Sequence, residues 1–402
     1  MENLHAASLS GLREYCEREN FRGYDPYDGL NSRLFQAIPL LPKNRFARLA
    51  WIQAFKRSPL NLRPLVGIGK ETNPKALGIF LSAYCELYRH HQHPADLGKI
   101  RFFTREILQY TSKGYSGACW GYNFDWESRA FFQPKFTPTI VASSFIALAL
   151  LDAFDITGEQ HLLDTARSTC DFLLNDLNRT TDENGDFAFS YSRLDTSIVF
   201  NASLLGSRLL ARVYSHTGEK HLLEAATKSV AFCCKYQKPD GSWSYGTYPF
   251  HQWVDSFHTG YNLECLKDYA LFSGDVSFMG HLEKGYEYYI NNFFTEEGVP
   301  KYYNNSVYPI DIHAPAQLVI TVAKLEKFDA DKALVDRVLN WTIRHMQDRR
   351  GYFYFQINRF FSSRIPYMRW SQAWMLYALA MYDRVSDGNE QTKNWKAHEN
   401  LV

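Results

Sequence analysis

Residues 201–247, NASLLGSRLLARVYSHTGEKHLLEAATKSVAFCCKYQKPDGSWSYGT, contain one complete structural period. A first helix, apolar on more than one face, runs to Thr217-Gly218. A second helix with a polar face follows, and the stretch ends in a segment of glycine and aromatic residues. Gly218 stands where a helix C-cap needs a left-handed residue, which glycine supplies without steric cost. The contrast between the two helices predicts an inner, buried helix followed by an outer, amphipathic one.

The same plan repeats on either side. SSFIALALLDAFDITG leads through Gly158 into EQHLLDTARSTCDFLLNDL, and Ser273-Gly274 closes a third inner helix. The Gly-aromatic segments recur as GACWGYNF from Gly117, GDFAFSY from Gly185, GSWSYGT from Gly241, GVPKYY from Gly298 and GYFYFQI from Gly351. After a longer first interval their spacing is about 55 residues, the mark of stacked units. Inner helices are expected near Ala76–His90, Thr139–Phe154, Ser197–Tyr214, Phe257–Phe272, Ala314–Glu326 and Arg369–Tyr382. Six hairpins in a closed ring make an all-α fold, an (α/α)6 toroid with Gly-aromatic turns or short strands at one rim. The first sixty or so residues would supply an outer helix and a closing segment. No linker or charge block interrupts the pattern, so residues 1–384 read as one domain and 385–402 as a polar C-terminal tail.

Gln237, Gly241 and Trp243 have the spacing of the QW motif of terpenoid cyclases. Neither Asp-x-Asp-Asp nor Asp-Asp-x-x-Asp occurs, and the Asp-x-Cys of protein prenyltransferases is missing too. The stretch therefore reads as the hairpin segment of a repeat.

Composition narrows the partners. Lys and Arg total 44 against 43 Asp and Glu, a net charge of +1, so no global excess charge draws in nucleic acid or an anionic membrane. The N-terminus lacks the layout of a signal peptide, and no run approaches the roughly 18 uncharged apolar residues of a membrane span. Seven scattered cysteines without a Cys-x-x-Cys pair fit reduced thiols and a cytoplasmic location. Aromatic residues make up 16% of the chain, enough to leave rings for a ligand groove after the core is filled.

In such a ring the N-terminal ends of the inner helices share one mouth, where free amides and helix dipoles favour oxygen-rich ligands. The segments entering these helices are polar. Asp195, Asp255 and Asp311 stand at three entrances, where an N-cap role competes with a functional one. His258 and His313 follow two of them at equivalent places. Tyr367 and Arg369 open the last inner helix, with Trp370 and Gln372 beside them. We take Asp255, His258, His313, Tyr367 and Arg369 as candidate catalytic residues. Candidate binding residues are Trp120, Asp125 and Trp126 from CWGYNFDW, Tyr191, Arg193 and Asp195 from YSRLD, and Trp253, Asp311, Trp370 and Gln372. No phosphate loop, dinucleotide fingerprint or His-Glu-x-x-His helix is present, and no cofactor or metal is expected.

The toroid pattern resembles the class of six-hairpin glycosidases and polysaccharide lyases. GYDPYDGLNS at Gly23, WVDSFHTGYNLE and PYMRWSQAW resemble proteins of bacterial capsule and exopolysaccharide biosynthesis, over about Gly23 to Tyr382. The resemblance implies an oligosaccharide or polysaccharide as ligand and polysaccharide-assembly proteins as partners. Two reactions suit the mouth residues. Hydrolysis needs two carboxylates, about 6.5 to 9.5 Å apart for inversion. Elimination or epimerisation of a uronic acid needs a group that neutralises the carboxylate and a His or Tyr that moves the C5 proton. A non-catalytic polysaccharide-binding or scaffold protein is the alternative, and a cyclase-like enzyme a more distant one.

Overall fold

Glycine stops and helix caps divide the chain at the expected places. The computed structural model describes residues 4–129 and 131–388. Among them are α1 Leu4–Arg18, α2 Arg33–Ala37, α3 Arg45–Arg57, α4 Pro74–His91, α5 Pro94–Gln109, α6 Ile140–Thr157 and α7 Gln160–Asp176. The second half contains α8 Phe200–Thr217, α9 Lys220–Cys234, α10 Ser256–Ser273, α11 Met279–Asn292, α12 His313–Lys324, α13 Phe328–Met346 and α14 Ala373–Ser386. Gly158, Gly218 and Gly274 all have positive φ, and each donates its N–H to the carbonyl four residues back. Several boundaries shift by two to four residues from the sequence reading, α8 beginning at Phe200 rather than Ser197 for example, and one differs in kind. The last inner helix starts with a π-turn over Met368–Gln372 before α14 proper.

Helices α4, α6, α8, α10, α12 and α14 each pack on the next, and α14 returns to α4, which closes the inner ring. Outer helices α5, α7, α9, α11 and α13 cover the preceding inner helices, and α1 covers α14. The first helix of the chain thus completes the sixth hairpin. Helix α6 is long and apolar enough to cross a membrane by length and composition, but it is an inner helix of this ring. All seven cysteines are free and buried. Helix α14 continues to Ser386, and residues 389–402 of the expected tail lie outside the described residues.

The Gly-aromatic segments join consecutive hairpins. A Cβ on Gly117 would lie 1.7 Å from the Ser168 carbonyl of α7, and one on Gly241 2.4 Å from that of Lys284 in α11. At Gly298 the clash is 2.8 Å from Arg337 of α13, and at Gly351 it is 2.0 Å from Gly11 of α1. Each of these glycines therefore lets a turn touch the backbone of the next outer helix. Gly185 differs, with open space around it in the hairpin of β3 Arg179–Thr181 and β4 Phe187–Phe189, the second strand pair after β1 Trp126–Glu127 and β2 Phe132–Gln133. Gln237 explains the remainder of the motif. Its Nε2 donates to the Gly241 carbonyl at 2.9 Å and to the His281 carbonyl of α11 at 2.8 Å. Gln347 repeats this with Gly351 at 2.9 Å and Ser8 of α1 at 3.1 Å. The Gln-x-x-x-Gly spacing is a clamp between neighbouring hairpins.

At the C-terminal ends of the inner helices a belt of ion pairs runs from α14 round to α12. Arg384 of α14 meets Glu86 of α4 at 2.5 Å, and Arg89 of α4 meets Asp152 of α6 at 3.5 Å. Arg212 of α8 bridges Asp152 at 2.9 Å and Asp155 at 2.7 Å. Arg208 of α8 meets Asp268 of α10 at 2.6 Å, which Lys324 of α12 approaches to 3.9 Å. Burial alone would raise the Asp152 and Asp268 carboxyls, but the facing guanidinium groups hold both below the usual range.

Candidate active site

The opposite end of the ring gathers the helix entrances. Asp255 is the N-cap of α10. Its Oδ1 accepts the His258 backbone N–H at 2.9 Å, and its Oδ2 contacts His258 Nδ1 at 2.7 Å and the Trp253 indole N–H at 3.0 Å. A carboxylate can only accept, so Nδ1 carries a proton, and in the neutral imidazole the lone pair is then on Nε2. The His258 side chain is 21% exposed, while the Asp255 side chain is fully enclosed.

Asp311 repeats the arrangement one hairpin on. It lies on β5 Ile310–Asp311, which pairs with β6 Gln356–Ile357, and β6 pairs with β7 Ser362–Ser363. Its carboxylate accepts the His313 N–H at 2.9 Å, the Trp370 indole N–H at 2.9 Å and the Gln356 amide at 2.5 Å. Burial pushes its carboxyl up to about 6, against the pull of these three donors. His313 is fully buried. Its Nε2 meets the Tyr261 hydroxyl at 2.6 Å, and its ring stacks on Phe257 at 4.5 Å. Desolvation first, then Lys75, His258 and Arg369, hold this imidazole well below its usual range, so it is neutral. Its Nδ1 is buried without a hydrogen-bond partner.

Aromatic rings form the wall. Trp126 packs between Tyr27 at 6.0 Å and Tyr191 at 5.8 Å, and Trp370 lies 5.8 Å from Tyr27. Trp253 stacks on Tyr245 at 4.7 Å, and Tyr245 touches His258 at the same distance. Tyr303 forms a backbone bridge with Asp255, and the nearby Asp255 and Asp311 carboxylates help burial hold its phenol up at about 12. Beside His258, Asn201, Ser244, Tyr245, Thr259 and Asn262 line a narrow recess. Asn201 Oδ1 and Asn262 Oδ1 are buried there without partners. Unpaired buried acceptors carry a desolvation cost that ligand hydroxyls would relieve.

Other sequence candidates are engaged within the protein. Trp120 is fully buried and donates to the Ile107 carbonyl at 2.9 Å, a packing role. Gln372 is taken by both backbone groups of Phe353 at 2.8 Å. Asp195 shapes its own turn through Ser192 and Ser197, and Asp125 accepts the Lys135 N–H at 2.8 Å. Arg193 lies over Tyr115 at 4.4 Å, and Tyr367 is enclosed beneath Arg63 at 4.7 Å. Arg369 was expected to neutralise a substrate carboxylate. It is buried and held by Asp25 through two contacts, at 2.5 and 2.8 Å, so its charge is already matched within the protein.

The buried cation without a carboxylate is Lys75, in the first turn of α4. Its Nζ lies 4.5 Å from the Phe145 ring and 5.6 Å from that of Trp374, and it makes no hydrogen bond or ion pair among the described residues. Burial, with Arg369 adding to it, drives this amine well below its ordinary range. Among the described residues, the grouping whose ligand atoms could converge on a metal is His90, His91 and Asp383. It joins the ends of α4 and α14, on the ion-pair side of the ring. The sequence reading missed Tyr27, Tyr245, Tyr303, Asp25 and Lys75. Tyr245 and Tyr303 belong to Gly-aromatic segments, so the repeat itself held the signal for them.

No family model matches the chain, and no curated protein matches it. Solved structures do. The Lin0763 protein of Listeria innocua has a TM-score of 0.64 at 15% identity, covering 96% of this chain and 99% of that one. An unsaturated glucuronyl hydrolase specific for heparin has a TM-score of 0.60 at 12% identity, covering 96% and 97%. Cellobiose 2-epimerase from Bacillus thermoamylovorans has a TM-score of 0.61 at 14% identity, covering 79% and 88%. At these identities the likeness is one of fold, and it agrees with the six-hairpin toroid.

Proposed function

We propose that this protein is a carbohydrate-active enzyme that moves a carbon-bound proton on a glycan, by elimination or epimerisation of a uronic acid, in making or processing a bacterial cell-surface polysaccharide. The observation that carries this reading is the Asp255–His258 pair at the foot of an aromatic cup. Asp255 fixes the imidazole tautomer, so Nε2 is an oriented base at the mouth. In elimination, Nε2 takes the C5 proton, the electron pair forms the C4–C5 double bond, and the C4–O bond breaks, its oxygen taking a proton from solvent as the leaving sugar departs. In epimerisation the C5 carbanion is instead reprotonated on its other face. The Lys75 amine, His313 Nδ1 and the Asn201 and Asn262 amide oxygens, which make no hydrogen bond among the described residues, are the polar groups assigned to substrate oxygens and hydroxyls. Hydrolysis is less well served, because Asp255 and Asp311 each already accept three donors. The activities of the structural neighbours, on an unsaturated glucuronyl unit and on cellobiose, support a sugar ligand. The place in capsule or exopolysaccharide assembly rests on the sequence resemblance.

The test is incubation with acidic and neutral oligosaccharides in D₂O, followed by NMR and mass spectrometry. Deuterium at a ring carbon, or a new double bond, is expected. New reducing ends without carbon-bound deuterium would assign hydrolysis instead, and no turnover with tight binding would make the protein a polysaccharide-binding module.

A further inference from the structure

The net charge of +1 conceals a local segregation. From Gly29 to Lys70 the chain contains Arg33, Lys43, Arg45, Arg48, Lys56, Arg57, Arg63 and Lys70, and no Asp or Glu. This is the insertion that carries α2 and α3 before the first inner helix. Part of its charge is matched: Arg45 and Arg48 by Glu127, Arg63 by Asp28 and Lys70 by Glu19. Arg33, Lys43 and Arg57 are exposed and make no ion pair among the described residues.

The same segment exposes large apolar side chains. Leu40, Phe46, Leu60 and Leu65 are between 67% and 81% exposed, and Leu34 and Ile38 join them. Scattered single apolar residues on a surface need no explanation, but this many in one cationic segment do. Leu40 sits at φ 72°, a left-handed conformation that costs a bulky residue energy, and its side chain points into solvent. The elements bearing these residues touch one another. Helix α2 contacts the turns at Leu41–Lys43 and Pro64–Val66, and Ser32 Oγ donates to the Val66 carbonyl at 3.0 Å.

We infer that this face of the insertion docks on an anionic membrane surface. Unpaired cations meet lipid phosphates there, while the interface accepts leucine and phenylalanine side chains without requiring a shaped groove. The insertion also borders the mouth. Arg48 and Arg45 grip Glu127 beside Trp126, and Lys56 donates to the Tyr27 hydroxyl at 2.8 Å. Docking therefore brings the aromatic cup to the headgroups. On the glycan reading above, the substrate is then a glycan carried on a membrane lipid; that extension depends on that reading, while docking itself does not.

Flotation of the full chain with vesicles tests docking without any turnover assay. Vesicles of phosphatidylcholine with roughly a third phosphatidylglycerol should carry the protein at low salt, and pure phosphatidylcholine should not. Affinity should fall roughly five-fold for each cation removed in Lys43→Gln and in Lys43→Glu/Arg57→Glu, and fall also in Leu40→Ser/Phe46→Ser. Phe360→Ser, at an 88% exposed residue outside the insertion, should float like the parent. Lys43→Gln alters one exposed turn residue, so it keeps the test readable if a double variant is unstable. The inference is overturned if the parent does not float with anionic vesicles, or if the insertion variants float as well as it does. A concentration-dependent dimer that Phe46→Ser abolishes, without flotation of the parent, would assign the face to a second copy instead.

Discussion

The two ends of the toroid bury polar groups in opposite ways. At the C-terminal end of the inner ring, guanidinium and carboxylate groups alternate from α14 through α4, α6, α8 and α10 to α12, with charge facing charge. At the N-terminal end one such pair, Arg369 with Asp25, is buried, but Asp255 and Asp311 are satisfied by indoles, amides and an imidazole, while Lys75, His313 Nδ1, Asn201 Oδ1 and Asn262 Oδ1 make no hydrogen bond among the described residues. Removing one member of a buried pair exposes the other to a large desolvation cost, so the first end is committed to holding the ring shut. The second end leaves capacity for a ligand.

Substitutions can break that contrast. The largest expected effect is on turnover: His258→Ala should lower it roughly 10²- to 10⁴-fold while the melting temperature stays close to that of the parent. An equal loss of fold and activity would make His258 a packing residue. At the other end Arg212→Met should do the reverse, costing about 3 to 5 kcal/mol in urea unfolding and leaving turnover per folded molecule unchanged.

A subtler difference comes from pH. The Asp311 carboxyl is pushed up to about 6 in the fold, above its unfolded value of about 3.9. The folded state then binds more protons than the unfolded one between those values, and this group weakens the fold as pH rises from about 4 to about 6. Asp311→Asn removes that penalty, so the variant should gain about 2 to 3 kcal/mol relative to the parent over this range. Parallel stability curves would place Asp311 in a wetter setting. The smallest expected effect is at the rim: Gln237→Ala loses two hydrogen bonds between hairpins and should cost about 1 to 2 kcal/mol. No change in melting would show that the clamp is incidental.

The ring was legible because its signals are local and repeated. A glycine stop after each of three inner helices and a Gly-aromatic turn about every 55 residues are visible in one sequence. Asp255 and His258 were legible for the same reason, since a cap and the residue three positions later share the first helical turn. The partner of Arg369 was not, because Asp25 lies 344 residues away and reaches it only when the ring is closed. Trp120 and Gln372 misled the reading because a polar or aromatic residue near a helix entrance serves the backbone as readily as a ligand. The cationic insertion was masked by averaging, since the rest of the chain balances its charge.

The clasp formed by α1 has a consequence for how the chain must be made. Leu12, Tyr15 and Cys16 emerge from the ribosome well before the surfaces that bury them, on α13, α14 and the Gly351 turn. A nascent chain that has completed five hairpins is an open crescent with two raw apolar edges and an undocked α1. Such a crescent can capture the α1 of another nascent chain as readily as its own. The clasp would then make polysomes the place where this protein is most exposed to misassembly, and early holding of α1 the step that protects it.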